Sequence, residues 1–166
     1  MTLIALIIKL TSSGTVIYWS DRVGRDNNIF QMPKYRTMDI NTPDVATHLL
    51  ENPEEHYTPI GKILRESSLD ELPQLINVVK GDMSLVGPRP ALDNQYELIE
   101  KREVFGIFKI KPGLTGLAQV NGRDNLSIDE KVKYDNLYIG NQSIIFDIKI
   151  LIQTIKVVLK SKDIKH

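Results

Sequence analysis

Near its carboxyl end the chain repeats apolar residues at the helical period. Ile144, Ile145, Ile148, Leu151, Ile152, Ile155, Val158 and Leu159 follow i, i+3, i+4, i+7 spacing, while Asp147, Lys149, Gln153, Lys156 and Lys160 fall largely elsewhere. A long helix with one apolar face needs something to cover that face. It can lie over the core of a soluble domain. It can also lie on an anionic membrane surface, which its lysines, with Lys162 and Lys165 beyond, would suit.

The amino terminus bears on that choice. Leu3-Ile4-Ala5-Leu6-Ile7-Ile8 is an unbroken apolar run ended by Lys9. Spanning a bilayer takes about 20 such residues. No small-residue cleavage site follows, and Thr11-Ser12-Ser13-Gly14 leads straight into a strand-like stretch. The run reads either as a buried strand or helix end, or as the second arm of a segment that dips into the membrane and returns. Its presence favours membrane contact for the terminal helix.

Composition removes several function classes. A length of 166 residues suits one domain with a real core, and 42% hydrophobic with 25% charged residues excludes both disorder and a multi-span membrane protein. Lys+Arg and Asp+Glu are both 21, which argues against a general nucleic-acid binder and predicts no nucleic-acid partner. With no cysteine there is no disulfide, no thiolate nucleophile and no cysteine-ligated metal.

Between the two apolar ends the pattern is that of an α+β domain, mainly helical, with a small N-terminal β-hairpin and several amphipathic helices. Thr15 to Trp19 and Ile29 to Met32 read as strands joined by the turn residues Gly24-Arg25-Asp26-Asn27-Asn28. Thr42-Pro43 and Thr58-Pro59 each resemble a cap followed by proline at the first helical position, and each predicts a short helix. Ser68-Leu69-Asp70-Glu71 opens a stronger helix running toward Lys80, with Gly81 as its stop and Pro73 near its start. Residues 82–92 read as a stiff loop, 93–105 as a helix and 111–116 as a turn. Ser127-Ile128-Asp129-Glu130 carries a capping-box pattern at the head of another helix.

The candidate chemistry centres on adjacent carboxylates, Asp70 and Glu71. An acid in a first helical turn is commonplace, and Ser68 with Glu71 fits a capping box. A carboxylate can also be a nucleophile toward phosphorus, and a neighbouring one can hold Mg²⁺. A helix amino terminus offers N–H groups to phosphate oxygens as well. Positive charge stands beside rigid turns at Lys34, Arg36, Arg65, Arg89 and Arg123. Arg89 lies between Pro88 and Pro90, which restrict the backbone and present the guanidinium at low entropic cost. Guanidinium forks suit phosphate oxygens, although any one of these side chains is more often a solvated surface charge. His48, His56 and His166 have no metal-ligand spacing, and nucleophile-elbow and glycine-rich phosphate-loop patterns are absent.

Ser68-Leu69-Asp70-Glu71-Leu72-Pro73-Gln74-Leu75, followed by the stretch from Asn77 to Pro90, closely resembles the bacterial sugar transferase family, the monotopic polyprenyl-phosphate phosphoglycosyl transferases. The similarity continues in Lys111-Pro112-Gly113-Leu114-Thr115-Gly116, on to Arg123, from Lys131 to Tyr138, and from Phe146 to Leu151. Arg22-Val23-Gly24 and Lys34 to Met38 also fit. Leu117 stands where the family usually has tryptophan, and Ser13 where proline is common.

The resemblance implies transfer of a phospho-sugar from a UDP-sugar to polyprenyl (undecaprenyl) phosphate. The products would be polyprenyl-diphosphate-sugar and UMP, at the start of capsule, O-antigen or other bacterial glycan assembly. Asp70 would be the nucleophile that carries the phospho-sugar, and Glu71 the Mg²⁺ ligand. Lys34, Arg36, Arg65, Arg89 and Arg123 would bind substrate, and Asp135 would be structural or support the site indirectly. The resemblance further implies a membrane partner, other glycan-assembly enzymes as possible partners, and a place on the cytoplasmic face of the bacterial inner membrane. Residues 1–13 would be the returning arm of a longer re-entrant membrane helix, and 14–166 the catalytic domain. The alternatives are a catalytically silent membrane-surface partner module and a Mg²⁺-dependent phosphohydrolase.

Overall fold

Turn chemistry at Gly24–Asn28 decides where the chain first doubles back. Asp26 and Asn27 have φ of 55° and 60°, in the left-handed region that Asp and Asn tolerate best among non-glycine residues. The Gly24 N–H donates to the Asn28 carbonyl at 2.8 Å and closes the turn.

The structure, a computed structural model, describes residues 1–43 and 50–160. Among the described residues the helices are α1 (Thr2–Thr11), α2 (Gly61–Glu66), α3 (Leu75–Lys80), α4 (Tyr96–Val104), α5 (Leu117–Val120), α6 (Ile128–Gly140) and α7 (Ile144–Lys160). The strands are β1 (Ile17–Val23), β2 (Ile29–Tyr35), β3 (Ser84–Val86), β4 (Ala91–Leu92) and β5 (Gly113–Thr115). The architecture is α+β with helix predominating, as the sequence predicts. One sheet has the order β2-β1-β4, and β3 pairs with β5 in a second. The helix expected after Thr42-Pro43 lies outside the described residues, as do His48, Lys162, Lys165 and His166.

Two compact units divide the chain. The first holds Met1–Trp19, Pro33–Pro73 and the end of α7; the second holds Ser20–Met32 and Gln74–Val157.

In the first unit the apolar run of the amino terminus is helix α1. Ile4, Ala5 and Ile8 pack with Tyr35, Leu64, Val16, Ile17, Ile60 and Leu72. Leu3, Leu6, Ile7 and Leu10 remain exposed. The run is therefore two-sided, with one face in a core and one face uncovered. Arg36 fastens the carboxyl end of α1: it donates to the Ser13 carbonyl and, at 2.8 Å, to the Ser12 hydroxyl. A cation suits the negative end of a helix.

Three helix starts differ from the sequence expectation; α4 begins at Tyr96 rather than at residue 93, and the other two lie in the first unit or at its edge. Helix α2 begins at Gly61 rather than directly after Thr58-Pro59, because Thr58 is held by its own N–H on the Thr37 carbonyl at 3.0 Å. A β-carbon at Gly61 would collide with that same carbonyl, which fixes how closely the helix head approaches. Asp70 and Glu71 do not open a continuous α-helix. Leu69–Gln74 is a 3₁₀ segment with Pro73 inside it, and the α-helix proper starts at Leu75. Proline has no N–H for the helical ladder, so the tighter turn precedes it. The predicted stop does hold: Gly81, with φ of 88°, ends α3.

The second unit contains a pairing that the sequence conceals. Residues read as loop and turn are the short parallel strands β3 and β5, with Ser84 opposite Gly113 and Val86 opposite Thr115. Gly87 N–H donates to the Thr115 carbonyl at 2.8 Å, and Gly113 N–H to the Pro88 carbonyl at 2.9 Å. Backbone meets backbone here. A β-carbon at Gly113 would collide with the Gly87 nitrogen, and one at Gly116 with the Gly87 carbonyl. Around this seam lie one core of Val23, Ala91, Leu98, Ile107, Phe108 and Val132, and another of Val86, Leu117, Tyr138 and Ile150. The capping box predicted at Ser127 and Glu130 is formed in both directions.

Helix α7 is present at the predicted place, and most of its apolar stripe is uncovered. The inward residues are Ile150, Phe146 and Leu151. Tyr138 donates to Asp147 at 2.8 Å, and the Thr154 and Thr115 hydroxyls share a hydrogen bond of the same length. Burial and the Asp147 carboxylate together push the Tyr138 hydroxyl pKa up. Ile144, Ile145, Ile148, Ile152, Ile155 and Leu159 are exposed, Ile144 by 79% and Ile155 by 60%. No described helix is long and apolar enough to cross a membrane.

Gly113→Ala should lower stability by about 1–3 kcal/mol, the usual cost of forcing a methyl group into a filled space. Urea titration of the purified protein measures it, and an unchanged midpoint would show that the seam tolerates a β-carbon.

Candidate active site

The 3₁₀ segment Leu69–Gln74 presents Asp70 and Glu71 in one turn. Ser68, immediately before it, has φ of 56°. A capping residue is normally extended, so Ser68 enters this segment by a different route from the predicted cap. A left-handed non-glycine residue stores strain of about 1–3 kcal/mol, and such residues gather at functional sites. Asp70 is 5% exposed. Glu71 is partly buried, and its Oε1 accepts from the Lys34 ammonium at 3.1 Å. Lys34 comes from strand β2, directly after Pro33, so the first unit brings together residues far apart in sequence. With both side chains about four-fifths covered, this pair is screened less than a surface salt bridge.

The other sequence candidates divide as follows. Arg65 lies in the last turn of α2, its guanidinium 5.6 Å from the centre of the Tyr57 ring and 3.5 Å from its hydroxyl. That face-on placement orients the guanidinium on an aromatic platform. Arg36 is buried and holds the end of α1. Arg89 and Arg123 belong to the second unit. Arg89 is half-buried between buried Pro88 and Pro90, and the rigid loop the sequence predicts there is present. Arg123 has φ of 52° and follows Gly122, whose φ is 154°. A β-carbon at Gly122 would press on Leu126.

Sequence reasoning gave no weight to Arg102. It is 3% exposed, on the same face of α4 as buried Leu98, and its Nη2 lies 2.6 Å from Asp135 Oδ2. No local signal marks it, because an arginine beside an apolar residue on a helix commonly reaches solvent and only the fold shows this one buried. The Asp135 carboxyl is 1% exposed; burial pushes its pKa up, and Arg102 pulls it back. Gln119 was also missed. Its amide nitrogen and oxygen are both buried and without a partner. Among the described residues no group of three or more His, Asp or Glu could hold a metal by itself.

Residues 1–161 match the family described as bacterial sugar transferase. The chain belongs to that family. Among curated relatives, it is 41% identical to the "UDP-galactose-lipid carrier transferase" of Erwinia amylovora over 95% of this chain and 36% of that one. It is 43% identical to the "UDP-glucose:undecaprenyl-phosphate glucose-1-phosphate transferase" of Escherichia coli, over 92% of this chain and 34% of the relative. A shorter relative, the "Exopolysaccharide production protein ExoY" of Rhizobium meliloti, is 38% identical over 96% of this chain and 77% of its own length. The chain thus spans about a third of the first two relatives and most of the third.

Removing either partner of the Lys34–Glu71 pair leaves a partly buried charge behind. Lys34→Gln and Glu71→Gln should each destabilise by about 1–3 kcal/mol. The double variant should lose less than the sum. A thermal-unfolding double-mutant cycle measures the coupling, and additive losses would show that the two groups do not interact.

Proposed function

We propose that this chain transfers a phospho-sugar from a UDP-sugar to polyprenyl phosphate. The observation that carries the reading is the buried Asp70 beside the Lys34-paired Glu71, on a strained turn, in a chain whose family match covers residues 1–161. The relatives' names supply the substrate classes: a UDP-hexose and an undecaprenyl phosphate.

We assign the chemistry to two carboxylates with unequal surroundings. An Asp70 carboxylate oxygen attacks the phosphorus that bears the sugar, and the bond to the bridging diphosphate oxygen breaks. UMP leaves with that electron pair. The phospho-sugar is then an acyl phosphate on Asp70. An oxygen of polyprenyl phosphate attacks the same phosphorus, Asp70 departs as a carboxylate, and polyprenyl-diphosphate-sugar forms. Neither step needs a net proton. Two displacements let a water-soluble donor and a membrane-bound acceptor use one nucleophile in turn.

Mg²⁺ fits this donor set. The metal commonly binds one or two protein carboxylates and fills its remaining positions with substrate phosphate and water. Among the described residues, Asp70 and Glu71 are the carboxylates that such an ion would use here. Glu71 would hold the ion, which when bound supplies positive charge to the diphosphate. Lys34 keeps Glu71 oriented, and Arg65 offers a fixed guanidinium to substrate phosphate. Arg89 and Arg123 take substrate-binding roles on the strength of their family motifs. Arg36 holds the end of α1, and its Nε alone lacks a partner.

The uncovered apolar faces of α1 and α7 support a membrane surface as partner, each taken by itself. In the first, Leu3, Leu6 and Leu10 project from a helix whose opposite side is packed. In the second, an isoleucine stripe runs beside exposed Lys149 and Lys156. Residues 1–13 would serve as the returning arm of a re-entrant segment, on the cytoplasmic face of the inner membrane.

Asp70→Asn should abolish UMP release while far-ultraviolet circular dichroism stays unchanged. With donor alone, intact-protein mass spectrometry should find the unsubstituted protein heavier by one phospho-sugar and the Asp70→Asn variant unmodified. Turnover by that variant would remove Asp70 as nucleophile. UMP release over many cycles without lipid would indicate a hydrolase, and none under any condition a silent module.

Glu71→Gln should raise the Mg²⁺ concentration needed for half-maximal rate at least tenfold. A metal titration that matches the parent protein would assign Glu71 to folding alone.

A further inference from the structure

The loop Pro88-Arg89-Pro90 is held by its carbonyl oxygens. Two of its three residues are prolines and have no N–H, so the carbonyls are its main backbone handles. Each one has a donor. Gly113 N–H reaches the Pro88 oxygen at 2.9 Å. Arg102 Nη1 reaches the Arg89 oxygen at 2.8 Å. Arg22 Nη1 reaches the Pro90 oxygen at 3.3 Å, while its Nε donates to Ser20.

Arg102 is the most constrained of these donors. Its Nε and Nη2 both donate to Asp135 Oδ2, at 3.0 and 2.6 Å, which leaves Nη1 aimed at the Arg89 carbonyl. Both side chains are almost fully buried, 4% and 1% exposed. A buried ion pair seldom stabilises a fold more than apolar residues of the same volume would. What it does supply is direction. A planar fork clamped on one edge by a carboxylate points its other edge at one place, whereas an ammonium on a flexible stem does not.

We propose that Asp135 and Arg102 are positioning residues for Arg89. Asp135 on α6 fixes the Arg102 guanidinium, and Arg102 fixes the peptide carbonyl of Arg89, so that the Arg89 side chain leaves the loop in one direction. The proposal rests on the reading of Arg89 as a substrate-binding residue. A phosphate group is the ligand that such a guanidinium takes.

The test uses the full chain in its membrane or detergent preparation, with UDP and Mg²⁺ as the calorimetric probe. Binding of UDP can be read even if the chemistry assigned to Asp70 is wrong. Arg102→Lys keeps the charge opposite Asp135 and loses the fork. It should weaken UDP binding about tenfold, close to the effect of Arg89→Ala. The Arg89→Ala/Arg102→Lys double variant should bind no more than twofold more weakly than Arg89→Ala alone, because both act through one group. Asp135→Asn keeps an acceptor for Arg102 and should show a smaller loss of the same kind. If Arg89→Ala weakens UDP binding while Arg102→Lys lowers the melting temperature but binds UDP like the parent, or if the two losses multiply, the proposal falls. Amide exchange separates it from the role given to Arg89. Faster exchange at Arg89 and Ala91 in Arg102→Lys supports the positioning even where Arg89→Ala leaves UDP binding unaltered, an outcome that would refute the substrate role alone. Unchanged exchange overturns the positioning.

Discussion

Three glycines set the geometry on which the second unit depends. Gly87 lies against Gly113 and Gly116 with no room for a β-carbon at the contact. Only at that separation do Gly87 N–H and Gly113 N–H reach carbonyls across the seam. Strands of three residues would otherwise have too few hydrogen bonds to stay paired. With the seam closed, the Pro88-Arg89-Pro90 loop begins from a fixed point, and the donors from Arg102 and Arg22 can meet its carbonyls. The glycine contacts therefore fix the base of the loop that carries Arg89.

In the first unit the comparable element is the turn that carries Asp70 and Glu71. Pro73 prevents a regular helix from starting upstream of it, and the left-handed Ser68 redirects the chain into a 3₁₀ turn. Strand β2 then supplies Lys34 to Glu71. The two carboxylates occupy different environments although they are adjacent in sequence. A tight turn separates them better than an α-helix, where neighbours are only 100° apart. Asp70 is buried, and Glu71 faces a cation.

The helices at the two ends of the chain share a different property. Each meets its own core through a narrow strip and leaves its larger apolar side uncovered. In α1 the strip is Ile4, Ala5 and Ile8; in α7 it is Ile150, with Phe146 and Leu151. The hydrophobic period of α7 is unmistakable in the sequence, yet the strongest stripe is the one that remains outside. Periodicity reports that one face is apolar. It carries no information about what covers that face, because a protein core and a lipid surface select the same side chains.

Local chemistry was therefore legible where a few neighbouring residues decide the outcome. The Gly24–Asn28 turn, the Ser127–Glu130 capping box and the Gly81 stop all follow from short-range preferences. The length and place of α7 do too. Tertiary structure alone decided the β3–β5 pairing, the Lys34–Glu71 contact and the Arg102–Asp135 pair. Each joins residues 29 or more positions apart, so no local window contains both partners. Sequence fixes what a residue can donate, accept or bury, but a charge acquires a role only when folding delivers its counterpart. Arg102, for example, meets both Asp135 and the Arg89 carbonyl only in the folded chain.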